Sequence, residues 1–311
     1  MRVLITGING FVGTHLQRFL RRKSYDVYGI DRHFTYDKIF KADIRDKKRI
    51  LNIIKKIKPA KVFHLAAVST VEKSLKFPKL TEDVNVKGTQ NILDACVASG
   101  INPKVLIVSS SEVYGNKKKF PIKEDSKLNP LNPYAETRIK QEKLALEYFN
   151  KYGINIVISR SFNHTGPGQS SSFVCSNFAK QIAEIQNGVK KPVIEVGNLD
   201  TVRDFLDVRD IIVAYNLALD KCRFGEVYNI CSSKHYKIGD ILNIILGMSK
   251  RHIKVRINKQ EDRSHDIKIT YGDNSKFCNE TKWKPKIGIE KTLKDLIEFW
   301  RLNIKRNSRI K

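Results

Sequence analysis

Short apolar runs recur through the first half of the chain, separated by longer stretches in which apolar residues return every three or four positions. Runs of the first kind suit strands buried on both faces, and stretches of the second kind suit amphipathic helices. Candidate strands are 3–5, 26–30, 62–65, 105–108 and 154–158. Candidate helices lie near 11–23, 46–57, 82–99 and 133–151, the last stopped by Gly153 in a C-cap role. Strand and helix alternate, so the expected fold class is α/β: a doubly wound (Rossmann) parallel sheet with crossover helices. After about residue 160 the rhythm is lost. A stretch rich in Gly, Ser and Pro over 163–172 is followed by helices and short strands in no β-α order, until 207–231 returns to one helix and the strand 227–230. Two interleaved domains follow from this: 1–160 plus about 207–232, and a smaller mixed domain from about 161–206 plus 233–311.

Composition supports a globular chain: 41% of its 311 residues are hydrophobic and 29% charged. Fifty-eight Lys and Arg against 32 Asp and Glu leave +26, which suits anionic ligands such as nucleotides and phosphates. The basic residues are spread along the chain with short clusters at 21–23, 47–49 and 117–119, a pattern of solvated surface more than of a nucleic-acid patch. Five widely spaced cysteines without a C-x-x-C pair exclude a disulfide scaffold or zinc knuckle, and the seven histidines form no ligand pattern, so no metal is expected. Met1-Arg2 leads directly into Val3-Leu4-Ile5, and no apolar run approaches a membrane span. The expectation is a reduced cytoplasmic protein, bound neither to membrane nor to nucleic acid.

The first strand runs into Gly7-Ile8-Asn9-Gly10-Phe11-Val12-Gly13, which opens a helix. Glycine there permits a tight turn, lets backbone N–H groups approach a pyrophosphate, and leaves the helix N-terminus to stabilise its charge. The spacing G-x-x-G-x-x-G differs from G-x-G-x-x-G and marks a variant of the dinucleotide-binding unit. Asp31 at the end of the second strand suits the free 2′-hydroxyl of NAD(H), whereas Arg32 beside it suits the 2′-phosphate of NADP(H). The two residues pull in opposite directions, so NADP(H) and NAD(H) both stand.

The strand 105–108 runs into Ser109-Ser110-Ser111-Glu112, placing hydroxyls and a carboxylate at the carboxyl end of the sheet, where doubly wound folds bind ligands. Tyr134 and Arg138, four apart at the start of a helix, share a face. A phenol beside a permanent cation has its anion stabilised, which makes it a candidate proton donor.

The glycine turn, Asp43-Ile44-Arg45-Asp46, His64-Leu65-Ala66-Ala67, the serine-rich strand end and Tyr134 together resemble the extended short-chain dehydrogenase/reductase family over the whole chain. Within it, Ser161-Phe162-Asn163-His164-Thr165-Gly166-Pro167-Gly168-Gln169, Val196-Gly197-Asn198-Leu199 and Val202-Arg203-Asp204-Phe205 resemble the GDP-4-keto-6-deoxy-D-mannose reductases, which form GDP-D-rhamnose and are related to the GDP-mannose 4,6-dehydratases. The resemblance implies NAD(P)H-dependent reduction of the C4 keto group of a GDP-linked 4-keto-6-deoxy-hexose or heptose, by a homodimer. It implies that Ser110 hydrogen-bonds the substrate oxygen, Tyr134 gives it a proton, and residue 138 holds the nicotinamide ribose. Asp43 and Ile44 would flank adenine, Leu65, Ala66 and Ala67 would line the pyrophosphate and ribose, and Asn163, Arg203 and Arg263 would grip the GDP-sugar. By the same resemblance the first domain holds the dinucleotide and the second the nucleotide-sugar.

One position departs from the family pattern Tyr-x-x-x-Lys: the fourth residue is Arg138. Arginine keeps the charge without the compact ammonium head and cannot deprotonate. A working variant, an impaired or engineered site, and a nucleotide-sugar-binding protein without turnover are the three explanations. A further enzymatic alternative is a GDP-mannose 4,6-dehydratase-like lyase using Glu112 as acid-base.

Overall fold

Residues 1–33, 37–258 and 267–308 are described by the computed structural model. The chain begins β1 (Arg2–Thr6), α1 (Phe11–Arg22), β2 (Asp26–Asp31), β3 (Ile39–Lys41), α2 (Lys47–Ile57) and β4 (Lys61–His64). It continues α3 (Val71–Lys76), α4 (Pro78–Glu82), a π turn (Asp83–Lys87), α5 (Gly88–Ala98), β5 (Lys104–Ser110), a 3-10 turn (Ser111–Tyr114), α6 (Pro133–Tyr152) and β6 (Ile156–Ser161). Then follow β7 (Asn163–Thr165), α7 (Val174–Gln186), β8 (Val193–Val196), β9 (Val202–Arg203), β10 (Phe205–Asp207), α8 (Val208–Lys221) and β11 (Val227–Ile230). The last elements are β12 (Tyr236–Lys237), α9 (Ile238–Gly247), β13 (Lys254–Ile257), β14 (Ile269–Thr270), α10 (Ser275–Thr281) and α11 (Ile289–Ser308).

Seven strands form one parallel sheet in the order β11-β6-β5-β4-β1-β2-β3. Alternation along the strands explains why helices cover both faces. Val3, Ile5, Leu106 and Val157 enter one apolar cluster with α1 and α8, while Leu4, Val105, Ile107, Ile156 and Ile158 enter another with α2, α5 and α6. Strand order reverses between β1 and β4, and the crevice at the carboxyl ends there is where such sheets take ligands.

Beyond β6 the strands gather into small sheets, β10-β7, β12-β9-β14 and β13-β8. A third apolar cluster joins α7, β8, β10, α9 and α11. The strand 227–230 returns to the main sheet as β11, beside β6.

Several elements differ from the sequence expectation, among them short α3, which no expected helix covers. The strand expected at 154–158 lies at Ile156–Ser161, because polar Ser159, Arg160 and Ser161 are buried with partners and extend it. The helix expected over 82–99 begins at Pro78 and contains the π turn, where buried Asn85 turns in to bond Val68 and Thr137. Three-residue β3 gave no periodic signal and was not anticipated.

Candidate active site

Gly7 takes φ +69° and donates its N–H to Ile30 O at 2.8 Å, which seats the turn between β1 and β2. A Cβ on Gly13 would lie 2.3 Å from Gly7 O, and one on Gly7 would meet the Ala66 backbone at 3.0 Å. The turn is therefore packed more closely than any side chain allows. Gly10 precedes α1 without a side-chain cap, so the first N–H groups of the helix, at Phe11, Val12 and Gly13, point out with no intrahelical acceptor. This is a cradle for an anion.

Around it stand the other expected coenzyme residues. Asp31 receives Asn9 N on Oδ2 at 3.1 Å and His33 N on Oδ1 at 3.2 Å, so its carboxylate folds back over the turn. Arg32 next to it is exposed. Asp43 is clamped by the Arg45 guanidinium, at 3.0 Å and 2.7 Å, and this bond holds its carboxyl below the usual carboxylate range. Ile44 turns inward, where a Cβ on Gly88 would come within 2.5 Å of it. Leu65, Ala66 and Ala67 follow β4 half-buried, with Ala66 N donating to Thr6 Oγ1 at 3.1 Å.

Ser110 ends β5 and caps the 3-10 turn, its Oγ accepting from Glu112 N at 3.2 Å. Glu112 is half-buried and receives the Asn132 amide at 3.3 Å. Asn132 also caps α6 by accepting Ala135 N, and Pro133 occupies the first turn, so the helix start that carries Tyr134 is fixed twice over. Tyr134 N donates to Ser74 Oγ at 3.2 Å. Its ring lies 5.0 Å from the Arg138 guanidinium, as the shared helical face requires. Arg138 is 4% exposed, and its Nη1 donates to Val108 O at 3.0 Å, two residues before Ser110. Tyr134, Arg138 and the Ser110 strand end are thus tied into one unit. Arg138 Nε is buried without a partner among the described residues.

The cradle that a Cβ would fill and the orphaned Nε of Arg138 both fit a dinucleotide: the first its pyrophosphate, the second a ribose hydroxyl.

The residues expected to meet the substrate are more scattered. Asn163 is exposed at the start of β7, and the loop after it touches α1: His15 Nε2 donates to Pro167 O at 2.7 Å, and Phe11 stacks on His164. Arg203 sits half-buried on β9 and donates to Val202 O at 2.9 Å. Buried Asp204 beside it accepts from Ser232 and Ser233, pinning the segment after β11. Arg263 lies outside the described residues.

Sequence reasoning missed a buried polar row behind the site: Thr6, His64, Thr89 and Gln141, ending at Arg138. It also missed the buried Glu142–Arg160 pair at 2.7 Å, which anchors Ser109 next to Ser110. The spacing of Gln141 and Glu142 after Tyr134 and Arg138 on one helix was the available signal. Among the described residues no group of acidic, His or Cys side chains could hold a metal, and no helix is long and apolar enough to cross a membrane.

The family model described as GDP-mannose 4,6 dehydratase matches residues 4–296. A GDP-6-deoxy-D-mannose reductase of Pseudomonas aeruginosa is 32% identical over 98% of both chains. A GDP-mannose 4,6 dehydratase of Drosophila melanogaster is 28% identical over 95% of this chain and 85% of its own. Among solved structures, RMD from Pseudomonas aeruginosa complexed with NADPH superposes with a TM-score of 0.88 at 31% identity, covering 97% of this chain and 99% of the other. A Thermus thermophilus UDP-glucose 4-epimerase complexed with NAD does so at 0.86 and 25%, covering 97% and 99%.

Proposed function

Since the chain belongs to the GDP-mannose 4,6 dehydratase family of extended short-chain dehydrogenase/reductases, we propose that it reduces the C4 keto group of a GDP-4-keto-6-deoxy-hexose, or heptose, with NADPH or NADH. The observation that carries this reading is the unit of Tyr134, Arg138 and the Ser110 strand end beside a pyrophosphate cradle.

When bound, the reduced nicotinamide supplies the hydride. The N–H groups of Phe11, Val12 and Gly13 take the pyrophosphate, with Gly7 and Gly10 keeping the turn open. Asp31 and Arg32 meet the adenosine ribose, Asp43 and Ile44 border the adenine, and Leu65, Ala66 and Ala67 line the chain between. Ser110 Oγ donates to the C4 oxygen and Tyr134 Oη delivers the proton that makes it a hydroxyl. Charge developing on the phenol oxygen is stabilised by the guanidinium of Arg138 beside the ring. Asn163, Arg203 and Arg263 hold the GDP-sugar. In this reading 1–160 plus about 207–232 serve the dinucleotide and about 161–206 plus 233–311 the nucleotide-sugar, in a cytoplasmic protein that is a homodimer as the family resemblance implies.

A dehydratase-like elimination through Glu112 is the second reading, favoured by the dehydratase relatives and by the half-buried carboxylate two residues after Ser110. One assay separates them: offer GDP-4-keto-6-deoxymannose with NADPH or NADH, follow coenzyme absorbance and identify the sugar. Stoichiometric coenzyme loss with a GDP-6-deoxy-hexose product is expected. Conversion of GDP-mannose without net coenzyme consumption selects the lyase, and binding without turnover of either selects a sensor.

A further inference from the structure

Gln141 lies one turn beyond Arg138 on α6 and is completely buried. Both ends of its amide are engaged: Oε1 accepts from Arg138 Nη1 at 2.7 Å, and Nε2 donates to Thr89 Oγ1 at 2.7 Å. The direction of these bonds is forced. Thr89 gives its one hydroxyl proton to Asn85 O, 2.6 Å away, so its oxygen can only accept, from Gln141 and from His64 Nε2 at 2.9 Å. Assigned from this network, the His64 proton sits on Nε2, and Nδ1 accepts from Thr6 Oγ1 at 2.8 Å. Thr6 in turn accepts Ala66 N beside the glycine turn. Burial and the nearby Arg138 charge push the His64 pKa down to about 3, so the imidazole stays neutral and the row keeps its direction. Gln141 consequently presents its oxygen, never its nitrogen, to the guanidinium.

A guanidinium carries five N–H donors in a rigid plane. Fixing Nη1 between Val108 O and Gln141 Oε1 fixes the plane, and it leaves Nε buried and unpaired. A buried N–H without an acceptor is unfavourable unless a ligand supplies one. An ammonium has no plane to fix, so a lysine at this position would draw no orientation from Gln141.

We infer that Gln141 is a positioning residue, which with the Val108 carbonyl orients Arg138 so that its Nε is kept for a hydroxyl of the nicotinamide ribose. Arginine at 138 is then a built-in part of the site with its own support, and Arg138 and Gln141 act as a pair. The inference rests on the dinucleotide of the proposed function and is independent of which sugar is reduced.

The test is a double-mutant cycle of Gln141→Met, which keeps volume and removes both hydrogen bonds, with Arg138→Lys. Dissociation constants of NADPH and NADH are measured by fluorescence titration, kcat and KM with the keto-sugar, and the melting temperature. Gln141→Met is expected to raise the coenzyme dissociation constant at least fivefold and lower kcat at least tenfold, with KM for the sugar within twofold. In the Arg138→Lys background the same change is expected to move each quantity less than twofold. Equal factors in both backgrounds, or a lower melting temperature with unchanged coenzyme affinity, would overturn the pairing. Should Gln141→Met not fold, Thr89→Val frees the amide one link further back, and a rise of at least twofold in the coenzyme dissociation constant confined to the Arg138 background is expected; no difference between backgrounds overturns it. If the wild-type chain binds coenzyme and reduces no GDP-keto-sugar, the reductase reading fails while the affinity cycle still decides the role of Gln141.

Discussion

In the half built on the central sheet, strands are apolar on both faces and helices seal each side, whereas the half holding β8, β9, β12, β13 and β14 divides its strands between sheets of two and three. The proposed chemistry follows that division. Ser110 ends a seven-residue strand, and Tyr134 and Arg138 sit on the capped, buried start of a 20-residue helix. Arg203, proposed to grip the sugar nucleotide, sits on a two-residue strand and bonds backbone carbonyls. Proton transfer tolerates little displacement, so its groups belong on elements fixed by many neighbours. Sugar recognition can be supplied by side chains on shorter pieces.

The largest expected effect breaks the rigid half at its reacting atom. Tyr134→Phe removes the proton donor and nothing else of size, so kcat should fall about 10²–10⁴-fold, the usual contribution of a positioned acid. Coenzyme affinity should stay within about threefold. Steady-state kinetics and a coenzyme titration read both, and a retained kcat would remove Tyr134 from the mechanism.

A pair of glycines compares the two halves directly. Gly13→Ala drives a Cβ to 2.3 Å from Gly7 O and 2.7 Å from Ile8 O, and backbone cannot yield as a side chain tip can. We expect at least tenfold weaker coenzyme binding and about 1–3 kcal/mol lost stability, the range for overpacking. Gly239→Ala, in α9, meets nothing nearer than Leu199 O at 3.5 Å. It should be neutral or gain up to about 1 kcal/mol from helix propensity. Thermal melts of the two variants with and without coenzyme decide this, and equal sensitivity would erase the distinction.

The same contrast governs what the sequence disclosed. Central strands with Val, Leu and Ile on both faces, and the glycine turn between β1 and α1, are local patterns and were readable. So were Tyr134 and Arg138, because their relation is set by one helix. The polar row was not, since Thr6, His64, Thr89 and Gln141 come from β1, β4, α5 and α6 and meet only when the sheet and its cover are assembled. Arg138 read alone looks like a poor substitute for lysine; beside Gln141 it has a support. The small sheets were illegible for another reason: two- and three-residue strands carry no period.

Arg203→Ala tests the looser half at smaller cost. Losing a charge-assisted hydrogen bond to a phosphate should cost about 1.5–3 kcal/mol of GDP-sugar affinity, with coenzyme affinity unchanged. Titration with GDP alone checks whether the loss lies in the diphosphate. Unchanged GDP affinity would take Arg203 out of the site, and an equal loss for coenzyme would mean that the two halves are not separable.

The smallest effect concerns the pH range over which the rigid half holds together. His64 is enclosed by Thr6, Thr89 and the Arg138 charge, and burial first, then that charge, lowers its pKa from 6.5 to about 3. The unfolded chain takes up a proton at this histidine below pH 6.5, while the folded chain resists it down to about pH 3. Stability is therefore fully present above pH 6.5 and declines as pH falls between those values. For this one group the decline between pH 7.5 and 5.5 is on the order of 1 kcal/mol. His15 on α1 and His164 on β7 are also lowered by burial and add to the decline in the same direction. His64→Gln should accordingly remove part of the acid sensitivity and leave part: urea unfolding free energies at pH 7.5 and 5.5 should lie closer together in the variant by on the order of 1 kcal/mol, whatever the variant loses at both pH values from repacking. An unchanged difference would mean that His64 takes up its proton alike in the folded and unfolded chain, and the bond in which its Nδ1 accepts from Thr6 Oγ1 would then not persist at acid pH.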